Sequence, residues 1–137
     1  MPELPEVETI RRDLEKEVVG KKVKEVEATG LRSIRRHKNK KDFTSRLQGR
    51  KLTGIQRKGK YLLVRLDGQP ADTLVIHLGM SGQLLRAKSA KEPLPKHTHV
   101  VIRFTQGGEL RYVDPRTFGE LFVTATDEVE DAVPELA

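Results

Sequence analysis

The sequence predicts an α+β fold that is mainly β: an antiparallel β-sandwich or flattened barrel of about eight strands, with an N-terminal helix and a second short helix on its flank. Three observations predict it. Apolar residues near the start recur at spacings of three and four. From Lys22 the period drops to two. Beyond Gly49, short apolar runs alternate with turn-forming clusters of Gly, Pro and Asp.

Residues 5–19 read as the helix. Val7, Ile10, Leu14 and Val18 form one stripe, while Arg11, Arg12, Asp13, Glu15 and Lys16 fill the polar face. Pro5 suits a first helical turn, Glu6 and Glu8 suit the positive end of the dipole, and Gly20 is a stop. A strand follows from Lys22 to Ala28. Residues 32–41 carry six Lys or Arg side chains and His37, and read as a basic loop, solvated in preference to contacting phosphate. Phe43 and Leu47, closed by Gly49, predict the short helix.

Seven further strands are expected at about 51–57, 61–66, 72–78, 83–87, 100–105, 109–113 and 120–124. Lys58-Gly59, Asp67-Gly68, Gly79 to Gly82, Pro93 to Pro95, Gly107-Gly108 and Asp114-Pro115 are the turns between them. Residues 1–126 are read as one domain, and the acidic residues 127–137 as the start of a linker.

A chain of 137 residues can bury a core of its own. No apolar run approaches the roughly 18 residues of a membrane helix, and the acidic start does not look like a signal peptide. With no cysteine, neither a disulfide framework nor a thiolate metal site is available, and the chain is read as cytoplasmic. The net charge is +6; setting aside the five acids of the last eleven residues leaves +11 on residues 1–126. Such a body suits a polyanionic partner, nucleic acid first.

Pro2 and Glu3 hold the most distinctive chemistry. Removal of Met1 would expose a secondary amine at Pro2. An α-amino group titrates at roughly 7.7 to 8.0, against roughly 10.4 for lysine, which leaves more of it nucleophilic at neutral pH. Its adduct with a sugar aldehyde is an iminium, and a neighbouring carboxyl such as Glu3 could move protons at the ring oxygen. Lys60, at the start of Tyr61-Leu62-Leu63-Val64, could reach a phosphate or leaving group from a fixed backbone. His77, His97 and His99 lack supporting carboxylates at metal-binding spacing, so no metal site is assigned. Met80 and Phe118 are apolar residues in glycine-flanked loops. Singly each reads as a core plug; together they suit wedges that enter a duplex when a nucleotide is extruded.

Pro2-Glu3-Leu4-Pro5-Glu6-Val7-Glu8, Gly59-Lys60-Tyr61-Leu62-Leu63, His77 to Gly82, Lys96-His97-Thr98-His99-Val100 and Asp114 to Gly119 together resemble the N-terminal catalytic half of bacterial formamidopyrimidine-DNA glycosylases. The related endonuclease VIII branch typically has glycine where Leu4 stands. The resemblance implies a base-excision repair enzyme that removes oxidised purines such as 8-oxoguanine from double-stranded DNA and then cuts the strand. It implies Pro2 as Schiff-base nucleophile, Glu3 as general acid, Glu6 as a supporting carboxylate, and Lys60 as proton donor or phosphate ligand. His97 and Arg116 would contact DNA. Met80, Arg116 and Phe118 would fill the void left by the flipped nucleotide. No cofactor is expected in this chain; zinc belongs to a C-terminal helix-two-turn-helix and zinc-finger half beyond it. Without that half, weak DNA binding and little or no activity are expected. The remaining expectations are a monomer without membrane contact. Alternatives are a DNA-binding fragment without chemistry and a paralogue acting on oxidised pyrimidines.

Overall fold

The computed structural model describes residues 4–136. Helix α1 (Leu4–Glu17) leads into strand β1 (Val23–Ala28), a 3-10 turn (Arg32–Ile34) and helix α2 (Lys40–Leu47). Seven strands follow: β2 (Leu52–Lys58), β3 (Tyr61–Leu66), β4 (Asp72–His77), β5 (Gln83–Ala87), β6 (Thr98–Phe104), β7 (Glu109–Val113) and β8 (Glu120–Ala125). Helix α3 (Val129–Ala132) and a closing 3-10 turn (Pro134–Leu136) end the described chain. The expected antiparallel sandwich is present as two four-stranded sheets, ordered β1-β6-β7-β5 and β2-β3-β4-β8.

Alternation explains the inner layer. Leu62, Val64 and Leu66 of β3, Leu74 and Ile76 of β4, and Leu121 and Val123 of β8 face Val100, Ile102, Phe104, Leu110 and Tyr112 of the other sheet. Val7, Leu14 and Val18 of α1 and Phe43 and Leu47 of α2 join this cluster, which buries the helical stripe. Asn39 caps α2 by accepting the Asp42 amide at 2.8 Å.

The structure corrects one sequence reading and adds packing detail to another. Residues 32–41 are not a solvated loop. They fold into the 3-10 turn and the first residues of α2, with Ser33, Ile34 and His37 buried. Arg36 pairs with Glu120 at 3.0 Å, donates to the Ala132 carbonyl at 2.7 Å and lies 4.1 Å from the Phe122 ring centroid. His37 accepts the Val123 amide at Nε2 and meets Asp42 at Nδ1, 2.8 Å away. Basic residues therefore staple this segment onto β8. The acidic end is also packed: Val129 and Val133 cover Leu63, Val75 and Phe122 on the outer face of the second sheet. That cover explains why β3 reads Leu62-Leu63-Val64, an unbroken apolar run, since its centre is buried on both faces.

The outer face of the first sheet carries an ion-pair network. Arg103 bridges Glu25, Glu27 and Glu109, and the buried Arg111 pairs with Glu109 at 2.7 Å. Arg111 also donates to the Glu92 and Pro93 carbonyls at 2.7 and 3.0 Å, anchoring the loop that leads to His97.

If the 129–136 segment truly seals the second sheet, Phe122→Ala should cost about 3 kcal/mol or more, as expected for a buried aromatic. Urea denaturation measures this. A loss below about 1 kcal/mol would mean that the outer cluster is not part of the cooperative core.

Candidate active site at one end of the sandwich

Strand register gathers the sequence-predicted residues at one end of the molecule. Tyr61 opposes His77, and His77 opposes Glu120, so the start of β3, the end of β4 and the start of β8 are level. In the other sheet Val113 opposes both Gln83 and Thr98, which levels the start of β5, the end of β7 and the start of β6. Lys60, the 78–82 loop, His97 and the 114–119 loop all project from this end.

Helix α1 reaches it too. Glu8 accepts from Arg57 at 3.0 Å, and Arg57 donates to the Gly59 carbonyl at 3.1 Å, so the first turns of the helix are tied to the turn that carries Lys60. Hydrogen bonds from Arg11, then Arg57, hold the Glu8 carboxyl down at about 2. Glu6 is exposed on the first turn of the same helix. Pro2 and Glu3 lie outside the described residues.

Lys60 is half-buried and lines a cavity of about 610 Å³ with Lys58, Gly59, Tyr61, His77, Glu135 and Leu136. Tyr61 stacks on His77 with ring centroids 4.6 Å apart and donates to Glu135 at 2.6 Å. Burial, then the Glu135 carboxylate, pushes the Tyr61 phenol up to about 12. Burial also lowers the His77 imidazole below its ordinary value, despite the pull of Glu120 and Glu135, which favours its neutral form. The cavity thus offers a lysine and a neutral imidazole side by side. Among the described residues no group of three or more His, Asp or Glu could hold a metal ion.

Met80 and Phe118 are not core plugs. Each is 49% exposed at the tip of its loop, and Arg116, two residues before Phe118, is exposed as well. The loops that carry them touch: a Cβ on Gly79, which has φ +65°, would stand 2.6 Å from the Gly119 nitrogen. A Cβ on Gly119 would overlap the Tyr112 hydroxyl and the His77 carbonyl. Glycine at both positions is therefore required for the close approach.

The residue that joins the loops is Asp114, whose carboxylate is completely buried. It accepts from the Ser81 hydroxyl and the Tyr112 hydroxyl, each at 2.6 Å, and from the amides of Gly119 at 3.0 Å and Arg116 at 3.2 Å. Burial alone would raise this carboxyl, but the four donors together outweigh it and hold it below its ordinary value. The Asp114 backbone is fixed as well, its amide donating to the His97 carbonyl at 3.0 Å and its carbonyl meeting His99 Nε2 at 2.8 Å. His97, itself exposed, takes a left-handed φ of 66° at this junction. Arg35, from the basic segment, holds the far side of the 114–119 loop through the Phe118 and Gly119 carbonyls.

Sequence reasoning includes His77, Ser81 and Asp114 in motifs without giving them a role, and misses Tyr112 and Arg35 as members of this end. Asp114-Pro115 signals a turn, which hides the role of its carboxylate. The place of His77 depends on cross-strand register, which a single strand does not reveal.

The assembly is a helix-on-sandwich domain that presents a cationic cavity and two rigid, apolar loop tips at one end. Residues 1–121 match the family model described as the formamidopyrimidine-DNA glycosylase N-terminal domain, and the chain belongs to that family. It is 51% identical over 123 residues to a formamidopyrimidine-DNA glycosylase of Acidothermus cellulolyticus, covering 88% of this chain and 42% of that one. It is 46% identical over 134 residues to that of Geobacillus kaustophilus, covering 98% and 47%. Among solved structures, Lactococcus lactis Fpg in complex with DNA containing an abasic site superimposes with a TM-score of 0.87 at 37% identity, covering 97% of this chain and 48% of that one. The same enzyme bound to FAPY-dG DNA also gives a TM-score of 0.87. The chain thus spans less than half the length of these relatives.

Replacing the anchor tests the network. Asp114→Asn should lower stability at pH 7 by about 1–3 kcal/mol, because an amide cannot accept from all four donors. The native carboxyl is depressed, so its contribution is fully present above the unfolded value of about 3.9 and is lost as pH falls through the lower native value. The gap between wild type and Asp114→Asn in urea denaturation should therefore narrow below about pH 4. A gap that stays constant from pH 7 to pH 2 contradicts the assignment.

Proposed function

We propose that this chain is the lesion-facing half of a base-excision DNA glycosylase that is also an AP lyase, acting on duplex DNA with oxidised purines such as 8-oxoguanine and formamidopyrimidines. The observation that carries the reading is the convergence at one end of the sandwich: the Lys60 cavity, the helix start that follows Pro2 and Glu3, and two exposed apolar tips held by one buried carboxylate. Chemistry on a base requires extrusion of its nucleotide, at a cost of a few kcal/mol, and side chains inserted into the gap offset part of that cost. Exposing half of a methionine and half of a phenylalanine has no benefit for folding and suits insertion between bases.

In this reading Pro2, freed of Met1, attacks the sugar C1′ and expels the damaged base. Glu3 protonates the ring oxygen as the sugar opens, giving an iminium between Pro2 and C1′. Glu6 supports the same site from the first turn of α1. Loss of a proton from C2′ and expulsion of the 3′ phosphate then cut the strand, and a second elimination releases the 5′ phosphate. Lys60 neutralises a flanking phosphate or supplies a proton to the leaving group. The neutral His77 beside it can donate a hydrogen bond without adding charge. Met80, Arg116 and Phe118 enter the vacated stack, with Arg116 toward the orphaned cytosine, and His97 meets the backbone. The other half of the DNA cleft would come from the portion of the relatives that this chain does not span.

Borohydride reduction fixes an iminium as a stable amine, so a Met1-free sample incubated at low salt with an abasic-site duplex should yield a covalent adduct that peptide mapping assigns to Pro2. A sample retaining Met1 should give none, since its Pro2 nitrogen is an amide. An absence of adduct from the Met1-free chain would leave a DNA-binding fragment without chemistry. Attachment at Lys60 would overturn the role given to Pro2.

A further inference from the structure

We propose that Arg35 is the positioning residue for wedge insertion, clamping the peptide behind Phe118 so that its ring points out of the loop before DNA arrives. The inference rests on the reading above and adds to it a residue distant in sequence from every motif that carries it.

The Phe118 ring is half-exposed, so packing does not fix its direction. Its backbone must do so. Arg35 Nη1 donates to the Gly119 carbonyl at 2.9 Å and Nη2 to the Phe118 carbonyl at 3.3 Å, while Nη1 also returns to the Arg32 carbonyl at 2.7 Å. From the opposite side Asp114 takes the Gly119 amide at 3.0 Å. The peptide unit joining Phe118 to Gly119 is therefore held on its carbonyl by a guanidinium and on its N–H by a carboxylate. The preceding residue, Thr117, sits at a left-handed φ of 54°, a conformation that a β-branched residue keeps only when its surroundings over-determine it.

The planar fork of Arg35 suits this task, because it spans two successive carbonyls at once and its charge strengthens both bonds. Lysine could serve one carbonyl, and glutamine would lack the charge. The neighbouring Lys38 has the same charge and is exposed on the same segment, which makes it the control for simple phosphate attraction.

The test uses the 137-residue chain and two duplexes, one intact and one carrying a tetrahydrofuran abasic analogue opposite 2-aminopurine. Wild type should prefer the abasic duplex and change the 2-aminopurine fluorescence. Arg35→Gln should reduce that preference about tenfold and lose most of the fluorescence change, and Arg35→Lys should fall between. Lys38→Gln should keep both preference and fluorescence change while weakening binding to the intact duplex as much as Arg35→Gln does. Retention of wild-type preference and signal in Arg35→Gln overturns the inference and leaves the glycosylase reading standing. A wild-type chain with no abasic preference overturns both. If Arg35→Gln unfolds below the assay temperature, Arg35→Lys decides: full wild-type behaviour there overturns the two-carbonyl clamp.

Discussion

A carboxylate removed from water is tolerated only when its lone pairs are met by donors, and Asp114 meets that condition with two hydroxyls and two amides. The four donors come from three parts of the functional end. Ser81 belongs to the Met80 loop, Arg116 and Gly119 to the Phe118 loop, and Tyr112 to the core strand beneath. One buried charge thus specifies the relative placement of two loops that otherwise have little to pack against. The glycines at 79 and 119 follow from it, because the loops can share this anchor only where no side chain separates their backbones.

The surrounding fold serves that constraint. Tyr112 is fully buried between the sheets, and its hydroxyl reaches Asp114, so the inter-sheet core and the loop anchor are continuous. Arg111, next along β7, points to the opposite face and secures the approach to His97 through Glu92 and Pro93. On the second sheet, Arg36 and His37 fasten the 3-10 segment to β8, which brings Arg35 alongside the Phe118 loop. Apolar side chains left in solvent contribute nothing to folding, and here they are carried by loops tied to one carboxylate through four hydrogen bonds. Exposed apolar tips on a rigid base are a local violation of folding economy of the kind expected at functional sites.

Much of the fold was legible because it depends on short-range patterns. The stripe from Val7 to Val18 predicted α1, and glycine and aspartate turns bounded the strands to within one or two residues of their observed ends. The residues that arrive by motif, from Lys60 to Phe118, were also readable as candidates. What the sequence concealed was mostly long-range. Arg35 and Arg36 looked like part of a solvated charge run because their partners lie more than 80 positions away. The acidic residues after Thr126 suggested a linker, since the few apolar ones among them reveal their target only when the outer face of β3 and β4 is known. Met80 and Phe118 read as core plugs singly and as wedges together, and only their exposure in the fold decides between the two.

The central claim is that the end bearing Lys60, Met80, His97, Arg116 and Phe118 faces DNA. The opposite end offers a rival, a cavity of about 550 Å³ lined by Lys21, Arg86 and Lys88 among others. Amide NMR shifts of the 15N-labelled chain during titration with an abasic duplex decide between them. The largest shifts should fall at residues 58–61, 77–82, 96–99 and 114–119. Shifts gathered instead at 17–21, 86–88 and 104–109 would contradict the account.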